Sequence, residues 1–278
     1  MGAFQVKFIV ELEKKNTWPT AFLKRAKQSK DLIINYHKEE KRIDHLCEND
    51  IGLRCRPPLN EYEHEYKILI HELDKILNGC NIIGYHCTRL ISSEIISIKR
   101  DGMKTLSPEL IQKRFISAYK QEQLSKKDFE SLTNSPIVKK HLCNKYCTRT
   151  GMIWFCANRS TLKKCNLVYR LFKYWGGEAV YNGHENDPII SNTLKSIGVP
   201  CIIKCSVPIS EVDKYPPDFC KRFLSYFISN DIEYPEPPAS FDMYTERDLK
   251  SIEVLEIIEK SNPVFRDLTD YMNWSEDY

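Results

Sequence analysis

The chain changes period near residue 80, and that change narrows the fold more than any single residue does. From there on, short apolar segments rich in Ile, Val, Phe and Trp recur between turn residues: CNIIGYHCT, GMIWFCA, EAVY, VPCIIKCSV and SIEVLEII. Apolar runs this short, bounded in this way, are expected as strands. Between them lie helix-like stretches, SSEIISIKRDG, SPELIQKRFISAYKQ, SKKDFESL, STLKKCNLVYRLFKYW and DPIISNTLKSIG. Ser107 and Ser125 precede two of these as N-caps, and Glu109 falls in a first turn, where the helix dipole favours it. The mixture predicts an α+β domain over 80–278, with most strands in its second half.

Residues 1–79 read differently. In NEYEHEYKILIHELDKILNG the apolar positions Tyr62, Tyr66, Leu69, Ile70, Leu73, Ile76 and Leu77 recur at threes and fours, and Gly79 stands just past the end as a stop. Pro57 and Pro58 interrupt the stretch before it. A helical N-terminal region is expected over 1–79, as a scaffold or partner-docking element. Late in the chain, the proline-rich DIEYPEPPASFDMY (231–244) resists both helix and strand and is expected as a loop.

The formal charge is +3, from 41 basic and 38 acidic residues, too balanced to imply nucleic-acid binding by itself. No charged leader with an apolar core opens the chain, and no run approaches the ~20 apolar residues of a membrane span. A cytoplasmic protein without membrane contact is expected. The 11 cysteines are an odd number without paired spacing, which favours reduced thiols. His141, Cys143 and Cys147 carry zinc-binding atoms but make only three ligands, where a closed zinc site takes four, so no metal is expected.

Several chemistries lack their signatures. The sequence contains no GxxxxGK[ST] and no GxGxxG, and WGGEAVY (175–181) has glycines without that spacing. Neither HExxH nor GxSxG occurs. What remains is GYHCTRL (84–90), which is followed by an apolar helix and DGMK. It resembles the first motif of the diphtheria-toxin and poly-ADP-ribose polymerase superfamily of ADP-ribosyltransferases, a strand ending Tyr-His-Gly-Thr followed by a helix and a glycine. Tyr85, His86, Thr88 and Gly102 match, and Cys87 stands where the family usually has glycine. The family's second motif, an aromatic strand and then a helix with another aromatic, is resembled by GMIWFCANRSTLKKCNLVYRLFKYW. There Trp154 and Phe155 lie on the strand, with Trp154 in place of the usual tyrosine, and Tyr169 and Tyr174 lie on the helix. The third motif sets a catalytic glutamate on a late strand, in patterns such as Glu-Tyr-Ile-Val. SIEVLEII resembles it, with Glu253 at the matching place, among apolar neighbours that make a carboxylate costly to bury unless it is used or paired.

The resemblance covers residues 82–260, leaving the 104–150 insertion outside the motifs. It implies an ADP-ribosyltransferase-like split β-sheet core, with NAD as substrate. His86 would hydrogen-bond the adenosine ribose, and Cys87, through its main chain, together with Thr88 would contact the dinucleotide. Arg89 would neutralise the pyrophosphate, and Trp154, Phe155, Tyr169 and Tyr174 would sandwich the nicotinamide, a flat cation suited to aromatic faces. Glu253 would stabilise the oxocarbenium-like state and orient the acceptor. Glu178, which opens EAVY behind two glycines, is the rival carboxylate; chain order and the longer strand favour Glu253. The leading expectation is a toxin or defence effector that transfers ADP-ribose to a macromolecular acceptor, nucleic acid or protein, accompanied by an antitoxin or chaperone. Two alternatives stay open: an NAD glycohydrolase of the same fold, and an inactive partner-binding module.

Overall fold

The computed structural model describes residues 8–143, 149–214, 219–232 and 240–274. In chain order, β1 (Ile9–Val10) leads into α1 (Thr20–Gln28), α2 (Lys30–Asn49), α3 (Ile51–Cys55) and α4 (Glu63–Leu77), then β2 (Asn81–Leu90). Next come α5 (Ser92–Asp101), α6 (Pro108–Lys120), α7 (Lys126–Asn134) and α8 (Pro136–Leu142), followed by β3 (Ile153–Cys156), α9 (Cys165–Lys173), α10 (Glu178–Tyr181) and α11 (Pro188–Ser196). The chain continues through β4 (Val199–Pro208), β5 (Asp213–Lys214), α12 (Phe219–Ile228), β6 (Asp242–Thr245), β7 (Val254–Glu259) and α13 (Pro263–Leu268). The architecture is α+β. Among the described residues no helix is long and apolar enough to cross a membrane.

The chain divides into two compact units. The first is helical and is not confined to 1–79: it takes 8–82 together with 208–210 and α12. Aromatic packing explains the recruitment. Phe223 of α12 lies 4.9 Å from Trp18 and 5.8 Å from Phe22 between ring centroids, and all three are buried. Tyr36 of α2 stacks on Tyr66 of α4 at 3.7 Å. The periodic apolar face of α4 is turned inward as expected, with Tyr66, Leu69, Leu73 and Leu77 buried.

In the second unit the sheet runs β5-β6-β3-β2-β4-β7, and β1 pairs with the first residues of β2 outside that path. Four of the five expected strands are present: β2, β3, β4 and β7. Their apolar residues form one core, in which Ile83, Tyr85, Phe172, Ile202, Ile258 and Phe265 meet. Another core, built around Phe115, Trp175, Tyr181 and Leu194, packs α6, α10 and α11 together. The expected caps are in place: Ser107 Oγ accepts from Leu110 N, and Ser125 Oγ accepts from Asp128 N.

Three expectations fail. EAVY is a single helical turn, α10, and not a strand. The residues before it, Gly176 and Gly177, have φ of 97° and 73°, and the Val180 side chain sits within 2.5 Å of where a Cβ on Gly176 would stand. The chain therefore folds back on itself there, and a run of three apolar residues is too short to impose a strand against that bend. Glu253 is not on a strand either: it ends a 3-10 turn, Ser251–Glu253, and β7 begins one residue later. Finally, the end of the proline-rich segment is not loop. Residues 242–245 form β6, sandwiched between β3 and β5. Residues 233–239 of that segment lie outside the described residues.

Gly102, expected from the resemblance to follow the first helix, ends α5 at φ 82° and hydrogen-bonds Ile98 O at 2.9 Å. A Cβ there would fall 1.9 Å from Leu249 O, a backbone atom with no freedom to yield. Gly102→Ala is expected to cost roughly 2 kcal/mol or more, the sum of left-handed strain and the clash, read as a lower denaturation midpoint.

Candidate active site

The site is built on β2 and β3. Tyr85 pairs with Cys156, and the Trp154 carbonyl accepts from His86 Nδ1 at 2.8 Å. A carbonyl only accepts, so the proton sits on Nδ1 and Nε2 carries a free lone pair. Burial lowers the basicity of this imidazole, the Arg114 charge lowers it further, and the carbonyl contact opposes both without winning. His86 is thus a neutral acceptor, and this explains a polar residue inside an apolar strand: its side chain supplies a cross-strand bond.

A depressed folded-state pKa leaves the stabilising neutral form fully in place above the ordinary histidine value of about 6.5. Below that, the unfolded chain takes up its proton first, and stability falls as pH drops toward the folded value. The pH dependence of stability between about 6.5 and 5 should therefore flatten in His86→Gln, measured by denaturant titration at each pH.

A cavity of about 550 Å³ opens at His86, with Cys87, Trp154, Arg149, Glu178 and Asp242 among its lining residues. A second cavity, about 560 Å³, adjoins it and is walled by α5 and α6. The two share His86, Thr88, Met103, Lys104, Leu110 and Arg114. The second carries the Ser93, Ser97 and Ser117 hydroxyls and the Lys113 ammonium.

Asp242 opens β6. Its position is fixed from both sides: Cys156 stands opposite it in the β3 register, and buried Asn158 Oδ1 accepts from Phe241 N at 3.0 Å. The carboxylate meets the cavity's solvent but is ringed by protein, and that desolvation pushes its pKa up against the opposing pull of Arg149 and the Cys156 thiol. Cys156 in turn is pushed up by contact with Cys87 and by burial, which keeps it a thiol. Glu178 stands at the start of α10, ion-paired with Arg149. The Arg149 guanidinium also lies over the Trp154 ring, 5.1 Å from its centroid.

The site residues expected from sequence separate into two groups. His86, Cys87, Thr88, Trp154, Phe155 and Glu178 line the first cavity. Arg89, Tyr169, Tyr174 and Glu253 do not. Arg89 is buried, and its guanidinium donates to Ile197 O (2.9 Å), Phe172 O (3.0 Å) and Gly198 O (2.8 Å), so it bridges backbone, and it lines neither cavity. Tyr169 is buried against Tyr271 and Trp274, and Tyr174 is buried against Tyr181. Glu253 makes a double hydrogen bond with Arg247 (2.8 and 2.6 Å) and accepts from Lys250 N at 2.8 Å. Burial acts to raise its carboxyl, but these partners outweigh burial and hold it below the ordinary carboxylate range. That answers the cost of burying it: the carboxylate is paired and closes a turn. His141 lines the first cavity, Cys143 is exposed, and Cys147 lies outside the described residues; no cluster of metal-binding side chains occurs among the described residues.

Asp242, Arg114 and Arg149 are among the cavity residues that were not singled out from sequence. Asp242 was hidden by the prolines before it, although Phe241, Met243 and Thr245 are buried while Asp242 and Tyr244 are not, a two-residue alternation visible in FDMYT. Arg114, in α6, lies in the 104–150 insertion; it pairs with Glu94 and borders both cavities. Comparison with family models, curated proteins and solved structures gives no match for this chain.

Proposed function

We propose that the second unit binds NAD across the two adjoining cavities and transfers ADP-ribose to a macromolecular acceptor, with release of nicotinamide. The observation that carries this reading is the convergence, in one concavity, of a neutral histidine acceptor, an indole face and two carboxylates from separate segments: His86, Trp154, Glu178 and Asp242. An ADP-ribosyltransferase-like core is part of the same proposal.

His86 lies where the cavities meet, and its Nε2 lone pair suits a ribose hydroxyl. Arg114 borders both cavities and takes the pyrophosphate role expected of Arg89. The serine hydroxyls and Lys113 of the second cavity suit the adenosine half. Trp154 presents a ring face to the cationic nicotinamide. Cleavage of the nicotinamide to ribose bond builds positive charge on the sugar, and a fixed carboxylate nearby lowers that barrier. Asp242 fits this role: β6, Asp-Met-Tyr-Thr, is a late strand opening on a carboxylate, which is the arrangement of the resemblance's third motif that Glu253 was expected to supply. Glu178, half-buried at the start of α10 and paired with Arg149, is placed to orient or deprotonate the acceptor. A toxin or defence effector is the biological setting that goes with this reading.

Incubation of the full chain with NAD labelled in the adenylate, in the presence of protein, DNA and RNA, tests the reading. Label retained on a macromolecule supports transfer, and its class identifies the acceptor. Free ADP-ribose supports the hydrolase, and intact NAD supports a binding module without this chemistry.

A further inference from the structure

Arg149 has a place in the cavity that a ligand-binding arginine does not need. Its guanidinium is ion-paired with Glu178 and lies over the Trp154 ring, and its charge acts on the Asp242 carboxyl. The turn that presents it is tied down: Met152 N donates to Arg149 O at 3.2 Å, and Gly151 N and Met152 O both bond the backbone of Leu106. The guanidinium is thus held by one carboxylate, acts on a second and covers the indole face. What it resembles is a flat cation resting on an aromatic face between acidic groups.

That description also fits the oxidised nicotinamide ring. We infer that, before the dinucleotide binds, Arg149 stands where that ring must go, so that binding exchanges one flat cation for another and Arg149 acts as a tethered competitor of the nicotinamide ring. This rests on the NAD reading above. The neutral dihydronicotinamide ring of the reduced form cannot replace the cation that Glu178 and Asp242 lose when Arg149 is displaced. The oxidised ring can, but it must compete with a tethered side chain for the place.

Removing the competitor should therefore tighten binding of either form, while the oxidised form keeps the advantage of its own charge beside Glu178 and Asp242. Arg149→Met keeps the length of the stem and removes the charge; Arg149→Lys keeps the charge and removes the flat fork. Dissociation constants for NAD and NADH are measured by titration calorimetry on the full chain and both variants, with circular dichroism to verify folding. In Arg149→Met, NAD is expected to bind about tenfold more tightly, NADH to gain by a similar factor, and the ratio of the two dissociation constants to stay within about twofold of the parent. Arg149→Lys should fall between the two. Weaker NAD binding in Arg149→Met, which would make Arg149 an anion ligand, overturns the inference and leaves the proposed function standing. Unchanged affinity for both forms overturns it as well. Absence of NAD binding in all three proteins overturns the proposed function and this inference together.

Discussion

Asp242→Asn should lower nicotinamide release from NAD by about 10²- to 10⁴-fold, the range lost when a positioned carboxylate can no longer stabilise or deprotonate. The substitution preserves shape and the strand register with Cys156, so the denaturation midpoint should stay close to that of the parent. Its side chain is open to the cavity, and no core contact is removed. Glu253→Gln should do the reverse. It weakens the Arg247 pair and the Lys250 cap, costing some stability, while turnover per folded molecule stays within about twofold of the parent. A steady-state assay corrected for the folded fraction separates the two outcomes. If Glu253→Gln abolishes turnover and Asp242→Asn does not, the placement of the catalytic carboxylate is wrong.

The second large effect concerns Arg89 and is one of stability. Arg89→Met leaves the carbonyls of Phe172, Ile197 and Gly198 without their donor in a buried region. Losses of charge-assisted hydrogen bonds, with buried acceptors left unsatisfied, put the cost at about 3–5 kcal/mol, read from a denaturant titration. Because Arg89 faces no cavity, whatever remains folded should bind NAD with nearly unchanged affinity. A ligand-binding arginine would give the opposite pattern, with affinity lost and stability kept.

These two residues show what a sequence can and cannot disclose here. The strand bearing His86 was legible because ten residues of β-compatible character end at a helix whose glycine stop is a local feature. β3 and β4 were legible as short apolar runs rich in Ile, Val, Phe and Trp between turn residues. Arg89 and Glu253 were misjudged as to use because burial against distant backbone, or pairing with Arg247 six residues earlier, leaves no periodic trace. α10 and β6, at four residues each, are decided by what they meet: the glycine bend before one, and β3 with Asn158 beside the other. So His86, Trp154 and Glu178 of the candidate site were readable from the chain, while Asp242 depended on which late strand reaches β3. Tyr169 and Tyr174 mark the opposite error, since helical spacing gave them a shared look with ligand-binding aromatics and the fold turns both into core.

The most direct measurement is nicotinamide released from NAD by the full chain, in the presence of candidate macromolecular acceptors and compared with Asp242→Asn under the same conditions. The expected result is steady release by the parent that is nearly absent in the variant, with both proteins equally folded. NAD left intact by the parent, or release that is the same in the two proteins, would contradict the assignment of this cavity to NAD chemistry.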